Sequence, residues 1–174
     1  QADACCICLD SDGSTQKFGS IVFCDGCDLG FHEECYGIRG KIPEGDQDWF
    51  CEACDAEGLE LRERCDEPRC VACPAQTGGF KRTADGKGFA HCICVSHIPE
   101  LYYSENSEGG APTVFGAVAG FDSVDVWRRK YRCVLCEDPV EADQGFKVVC
   151  GYGSCMNACA LRVGLEEHET KASD

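Results

Sequence analysis

Long apolar runs are missing from this chain. No stretch approaches the roughly 18 residues of a membrane-spanning helix, so none reads as one. No secretory signal opens the sequence, and the expectation is a reducing compartment in which thiols persist. The first residue is Gln1, which reads as the start of a fragment cut from a longer protein. Positive charge is scarce: 16 Lys and Arg face 31 Asp and Glu, a formal net charge of −15. The deficit is uneven. Residues 1–58 carry 13 acids and 3 bases, residues 59–100 carry 6 of each, and residues 101–174 carry 12 and 7. The acidic first third repels phosphate backbones and attracts basic peptides.

What the chain has in plenty is cysteine, 18 of 174 residues. At that density, disulfides or metal must replace the core that so short a chain cannot build. Pairs at C-x-x-C spacing recur at Cys5/Cys8, Cys24/Cys27, Cys51/Cys54, Cys70/Cys73 and Cys133/Cys136, and His32 and His91 each stand three residues before a cysteine, Cys35 and Cys94. A disulfide framework has no use for histidine at ligand spacing, whereas zinc does. Eight ligands fall within residues 5–54. Interleaved pairing would place Cys5, Cys8, His32 and Cys35 at one zinc and Cys24, Cys27, Cys51 and Cys54 at another; nested pairing would also satisfy the metal. Four protein ligands leave no position for a nucleophilic water, which argues against hydrolytic zinc chemistry. Cys70, Cys73, His91 and Cys94 form a third set, with Phe80-Lys-Arg-Thr83 between two Gly-containing turns as a small hairpin. Cys6 reads as a small buried apolar residue and Cys65 as a bystander; Cys92 reads as facing away from Cys94, and His97 as a packed side chain.

Residues 55–69 read as a linker or short charged helix. In 100–132, Gly109-Gly-Ala-Pro112 reads as a loop and Val114–Val118 as a strand. Trp127-Arg-Arg-Lys-Tyr-Arg132 is the one basic cluster. Its Arg128, Arg129, Lys130 and Arg132 are candidate contacts to nucleosomal DNA, set against the plainer reading of a solvated face. A last module begins at Cys133, and Cys133, Cys136, Cys150, Cys155 and Cys159 are candidate ligands for one or two further zinc ions.

The order of ligands in 5–54, with C-x4-H-x2-C at Cys27–His32–Cys35 and Trp49 two before Cys51, resembles a PHD finger. A RING finger would normally have histidine as its fourth ligand; here it is the fifth. The whole chain resembles the PHD–zinc knuckle–extended PHD cassette of BRPF and Jade scaffold proteins and AF-type leukaemia fusion partners. The resemblance rests on Ile21-Val-Phe-Cys-Asp-Gly-Cys27, His32-Glu-Glu-Cys-Tyr-Gly37, Ile42-Pro-Glu-Gly45, Gly78-Gly-Phe-Lys-Arg-Thr83, Ile98-Pro-Glu100 and Cys159-Ala-Leu-Arg-Val-Gly-Leu165. It implies small zinc-stabilised modules, irregular with short β-hairpins and short helices: a PHD finger at 5–54, a linker at 55–69, a zinc knuckle at 70–99, a connecting segment at 100–132 and an atypical second PHD finger at 133–174. The last departs from the family. Cys155-Met-Asn-Ala-Cys159 lacks the Phe-His-x-x-Cys expected before Cys-Ala, so the module is truncated, or shortened within, or closes one rearranged site from its five cysteines.

The resemblance further implies a nuclear, non-enzymatic chromatin reader. The histone H3 tail would add as a strand along Gly19, Ser20, Ile21, Val22 and Phe23, with its amino terminus held near Pro43, Glu44 and Gly45. Fingers that bind methylated lysine usually carry Trp two before the zinc histidine; that position is Gly30, so no aromatic cage is visible. Asp25, Asp28, Glu33 and Glu34 surround the site and favour an unmodified basic side chain. The relatives imply a scaffold for a histone acetyltransferase complex. The alternatives are a RING-like ubiquitin ligase module and a purely structural zinc scaffold for protein interaction.

Overall fold

The computed structural model describes residues 4–11, 18–38, 47–65, 70–104, 116–134, 145–149 and 158–160. The Pro43–Gly45 segment, the loop at 109–112 and Cys136, Cys150 and Cys155 lie outside these residues. Four antiparallel two-stranded sheets follow one another: β1 (Ile21–Phe23) with β2 (Gly30–His32), β3 (Phe80–Arg82) with β4 (Phe89–His91), β5 (Tyr102–Tyr103) with β6 (Val118–Ala119), and β7 (Lys147–Val149) with β8 (Ala158–Ala160). Between them lie α1 (Glu33–Tyr36), α2 (Ala56–Cys65), α3 (Cys92–His97) and α4 (Trp127–Lys130). Of the strand expected at Val114–Val118, residues 116–118 are described, and only Val118 lies in a strand, β6. The charged stretch after Cys54 is the helix α2. None of the described helices is long and apolar enough to cross a membrane.

One unit recurs three times. Ile21 pairs with His32, Phe80 with His91 and Lys147 with Ala160, so these three hairpins share a register. The second strand of each also receives a parallel bridge from a cysteine: Cys5 to Gly30, Cys70 to Phe89, Cys133 to Ala158. In the first two, the second strand ends on a histidine that caps a helix with extended backbone (φ −66°, ψ 142° at His32; φ −68°, ψ 141° at His91). In the third, that register position is held by Ala160, and Cys159 holds the position of Phe31 and Ala90.

The first two units share one core. Phe31, Tyr36 and Trp49 form a triangle of rings, with centroids 4.5, 5.5 and 5.9 Å apart. Buried Phe80, Phe89, Ile98, Leu101 and Val118 continue that cluster. Gly79 lets the knuckle come close: a Cβ there would stand 3.0 Å from Ile7 and 3.2 Å from Phe31. Polar contacts lock the join. Lys81, 4% exposed, donates from Nζ to Glu52 Oε1 at 2.7 Å and lies 4.0 Å over the Tyr36 ring. The Arg82 amide donates to Glu52 Oε2 at 3.0 Å, and its guanidinium reaches Asp55 Oδ1 at 2.7 Å. Tyr36 Oη donates to the Phe80 carbonyl at 2.6 Å and accepts from the Glu52 amide at 2.8 Å. Glu52 sits between the ligands Cys51 and Cys54, so the Lys-Arg of the β3 hairpin grips the finger beside its second metal set.

Removing one member of a buried ion pair leaves an uncompensated charge, which costs about 3 kcal/mol or more. Glu52 is partly exposed, so Glu52→Gln is expected to lower the stability of the zinc-loaded protein by about 2–3 kcal/mol. Glu52→Gln combined with Lys81→Met should recover much of that loss. Thermal melts at saturating zinc check this, and a double variant no better than the single would count against it.

Candidate functional site

Three four-ligand sets form among the described residues: Cys5, Cys8, His32 and Cys35; Cys24, Cys27, Cys51 and Cys54; Cys70, Cys73, His91 and Cys94. The pairing in the finger is therefore interleaved. Within each set all four ligand atoms lie within 4.8 Å of one another. Four sulfurs each about 2.3 Å from a zinc would stand about 3.8 Å apart. Cys27 Sγ and Cys51 Sγ are 3.9 Å apart, and Cys70 Sγ and Cys94 Sγ 3.8 Å. Both histidines turn Nδ1 inward, with Cys8 Sγ 3.3 Å from His32 Nδ1 and Cys73 Sγ 3.2 Å from His91 Nδ1. The donor sets and spacings fit tetrahedral zinc, which when bound supplies structural cross-links rather than chemistry.

The backbone prepares each set in the same way. The amide of His32 points to Cys5 Sγ at 3.3 Å, that of Cys51 to Cys24 Sγ at 3.3 Å and that of His91 to Cys70 Sγ at 3.4 Å. Such bonds favour the thiolate. Crowding of the thiols is visible in their proton affinities. A hydrogen bond from Cys51 pulls Cys27 down to about 5, while the bond shared with Cys70 pushes Cys73 up to about 12. A divalent cation relieves this competition by letting every ligand deprotonate. Cys6 and Cys92 lie outside the sets. Burial raises both thiols, Cys92 to about 12, as expected of small packed residues. Cys65 is the last residue of α2. His97 corrects the expectation of packing: it is exposed, and its Nδ1 caps the Ile93 carbonyl at 2.9 Å.

The basic run needs a second correction. Arg128 is buried, donates from Nε to Glu100 Oε1 at 2.8 Å and from Nη1 to the Lys147 carbonyl at 3.0 Å. Although burial opposes it, this bond holds the Glu100 carboxyl below its usual range. Arg128 is thus a structural tie and has no free charge to offer a phosphate. Arg129 lies 4.4 Å over the Phe146 ring, with its charge at the surface, and Lys130 is exposed.

Around β1 the acids divide into two kinds. Asp25 accepts the Trp49 amide at 2.7 Å and returns its own amide to the Trp49 carbonyl at 2.9 Å. Glu33 Oε1 accepts the Ser20 amide at 3.1 Å. These two help build the frame. Asp28 is exposed, in a turn with φ 57°, and Glu34 is half-buried. The strand edge can be read from its neighbours. The Glu33 amide donates to the Ser20 carbonyl and the Cys24 amide to the Leu29 carbonyl. Antiparallel bonding alternates, so Val22 faces β2, while Ile21 and Phe23 turn their N–H and C=O groups outward. No described residue bonds them there. Three of the matching outward groups are bonded elsewhere: Tyr36 covers the Phe80 carbonyl, Glu52 the Arg82 amide and Arg128 the Lys147 carbonyl.

Residues 18–55 match the PHD-finger family, and residues 68–172 match the PHD-zinc-finger like domain. Bromodomain and PHD finger-containing protein 3 of Mus musculus is 36% identical over 166 residues, 92% of this chain and 12% of that protein. Protein AF-17 of Homo sapiens is 32% identical over 170 residues, covering 92% and 14%, and Protein Jade-1 of Xenopus laevis 31% over 166, covering 93% and 17%. The chain therefore corresponds to a small part of each of these relatives. The crystal structure of the zebrafish PHF14-PZP superposes with a TM-score of 0.60 at 27% identity, over 90% of this chain and 71% of that one. With its interleaved ligand sets and its repeated hairpins, the chain belongs to the zinc-binding PHD-finger family, as a PHD finger followed by a PHD-zinc-finger like domain.

Proposed function

We propose that the first finger captures the unmodified N-terminal tail of histone H3 as an added strand along the outer edge of β1. The observation that carries this reading is the edge itself: no described residue bonds the outward N–H and C=O groups of Ile21 and Phe23, while the matching Phe80 carbonyl, Arg82 amide and Lys147 carbonyl are covered from within. An unpaired edge held rigid by metal on both sides is a template for an extended peptide. The acidic first third, with Asp28 and the remaining oxygen of Asp25 exposed, suits a basic one. On this reading the protein acts in the nucleus as a non-catalytic chromatin reader, targeting or scaffolding an acetyltransferase-type complex. Pro43, Glu44 and Gly45 remain the segment proposed to hold the peptide's amino terminus. The buried state of Arg128 leaves too little of the basic run to support DNA as the main partner.

Gly30 sharpens the choice of lysine state. A Cβ at this position would stand 2.9 Å from the Ala4 carbonyl, 3.0 Å from the Phe23 ring and 3.1 Å from Ile21. The space in which a cage tryptophan would begin is thus already filled, partly by backbone. Titration with H3-tail peptides is expected to show tighter binding to the unmodified form than to the form trimethylated at its fourth-position lysine; the reverse order would overturn the reading. Gly30→Trp is expected to destabilise the finger rather than switch its preference.

The edge has its own test. Ile21→Pro removes one outward N–H from an edge strand, where proline is tolerated. Losing one hydrogen bond of this kind lowers affinity by up to roughly tenfold. Zinc content should not change. Undiminished peptide affinity in a correctly loaded Ile21→Pro protein would exclude strand addition at β1.

A further inference from the structure

We infer that the metal set of Cys5, Cys8, His32 and Cys35 is an oxidant-labile site, opened first at Cys8, while the knuckle set is the inert one. Three observations separate the sets. Cys8 is exposed and Cys35 half-buried, whereas all four knuckle ligands are buried. His32 is fully buried, yet its Nε2 has no hydrogen-bond partner among the described residues; the corresponding Nε2 of His91 meets the Thr77 carbonyl at 3.0 Å. Cys5 receives one backbone N–H among the described residues, from His32, whereas Cys70 receives two, from Ala72 and His91. The middle set stands between: Cys27 is exposed, but Cys24 accepts amides from both Gly26 and Cys51, and the other three ligands are buried.

Each difference acts in the same direction. A partner on the outer nitrogen of a ligating histidine fixes its orientation and raises its basicity, and losing such a partner typically costs 10–100-fold in metal affinity. N–H bonds to sulfur disperse thiolate charge and lower its nucleophilicity. Exposure admits the oxidant. With hydrogen peroxide as the oxidant class, the Cys8 thiolate attacks one peroxide oxygen. An S–O bond forms, the O–O bond breaks, and hydroxide leaves; the sulfur loses two electrons and peroxide gains them. The Cys35 thiolate, within 4.8 Å, then attacks the Cys8 sulfur, forming the disulfide and expelling a second hydroxide. The set retains only Cys5 and His32, too few to hold zinc.

The consequence reaches the peptide edge. His32 ends β2, and Glu33, the next residue, holds both the carbonyl and the amide of Ser20 at the start of the strand run. Losing this set frees β1 from below. This step rests on the proposed reading of the β1 edge; the order of metal release does not.

The test uses the zinc-loaded chain with hydrogen peroxide, a chromophoric zinc indicator, and differential alkylation before and after reduction, followed by peptide mapping. The first equivalent of zinc is expected to appear at least about tenfold faster than the knuckle equivalent, matching the lower bound for a missing outer partner. It should coincide with a Cys8–Cys35 disulfide while Cys70, Cys73 and Cys94 remain reduced. First oxidation at the middle or knuckle set, or simultaneous loss from all three, would overturn the inference. Cys8→His keeps a ligand but removes the attacked sulfur, and a loaded variant should lose its first zinc more slowly. Parallel H3-peptide titration separates the two ideas. If the first set opens on schedule yet peptide binding persists, the lability stands and the β1 reading falls.

Discussion

Zinc's demand for four ligands governs this structure. No C-x-x-C pair satisfies it alone, so each pair must find another segment of chain. Cys5 and Cys8 must reach His32 and Cys35; Cys24 and Cys27 must reach Cys51 and Cys54. Each closure is worth about 10 kcal/mol or more of folding free energy, comparable with the net stability of a whole domain. The metal also sets register. In every set, the first ligand of the later pair donates its own amide to the first sulfur of the earlier pair. Ligand geometry and backbone geometry are therefore one constraint, and a strand of three residues can be held rigidly without a large core beneath it.

Much of this was legible in the sequence because ligand spacing is a local pattern with a strict chemical meaning. The ligand pairs, their histidines and the hairpin around Phe80 could all be read from short offsets, whereas the interleaved joining of pairs in the finger is settled by the fold. What was not legible arises from contacts with no such offset. Lys81 meets Glu52 across 29 residues, and Arg128 meets Glu100 across 28. A basic run reads as a solvated face or a phosphate grip, and only the fold shows that one member turns inward. The four acids near β1 look equivalent in composition, yet Asp25 and Glu33 bond to backbone amides while Asp28 faces solvent. In the last hairpin, period-two alternation decides which residue stands at the register position of His32 and His91, and there that residue is Ala160, beside Cys159.

The three hairpins show how one framework is put to different uses. A short strand beside a metal site has an outer edge, and such an edge must be paired, covered or exposed to water. In the knuckle hairpin, the Phe80 carbonyl and Arg82 amide are covered by Tyr36 and Glu52, both from the finger. In the last hairpin, the Lys147 carbonyl is covered by Arg128. Those covers bind neighbouring segments together, which is why Lys81, Arg82 and Arg128, all basic, serve as internal ties in a strongly acidic chain. The first hairpin has the same register and the same outward groups, with no described cover. An added strand at β1 would therefore complete there, from outside, the bonding that the chain completes for itself at β3 and in part at β7. Affinity on such an edge comes from backbone groups that any extended peptide possesses, so selectivity must come from what flanks it. On the proposed reading the flanks are carboxylates, which suit a cationic tail, and Gly30, where no aromatic side chain is present to cage a trimethylated lysine.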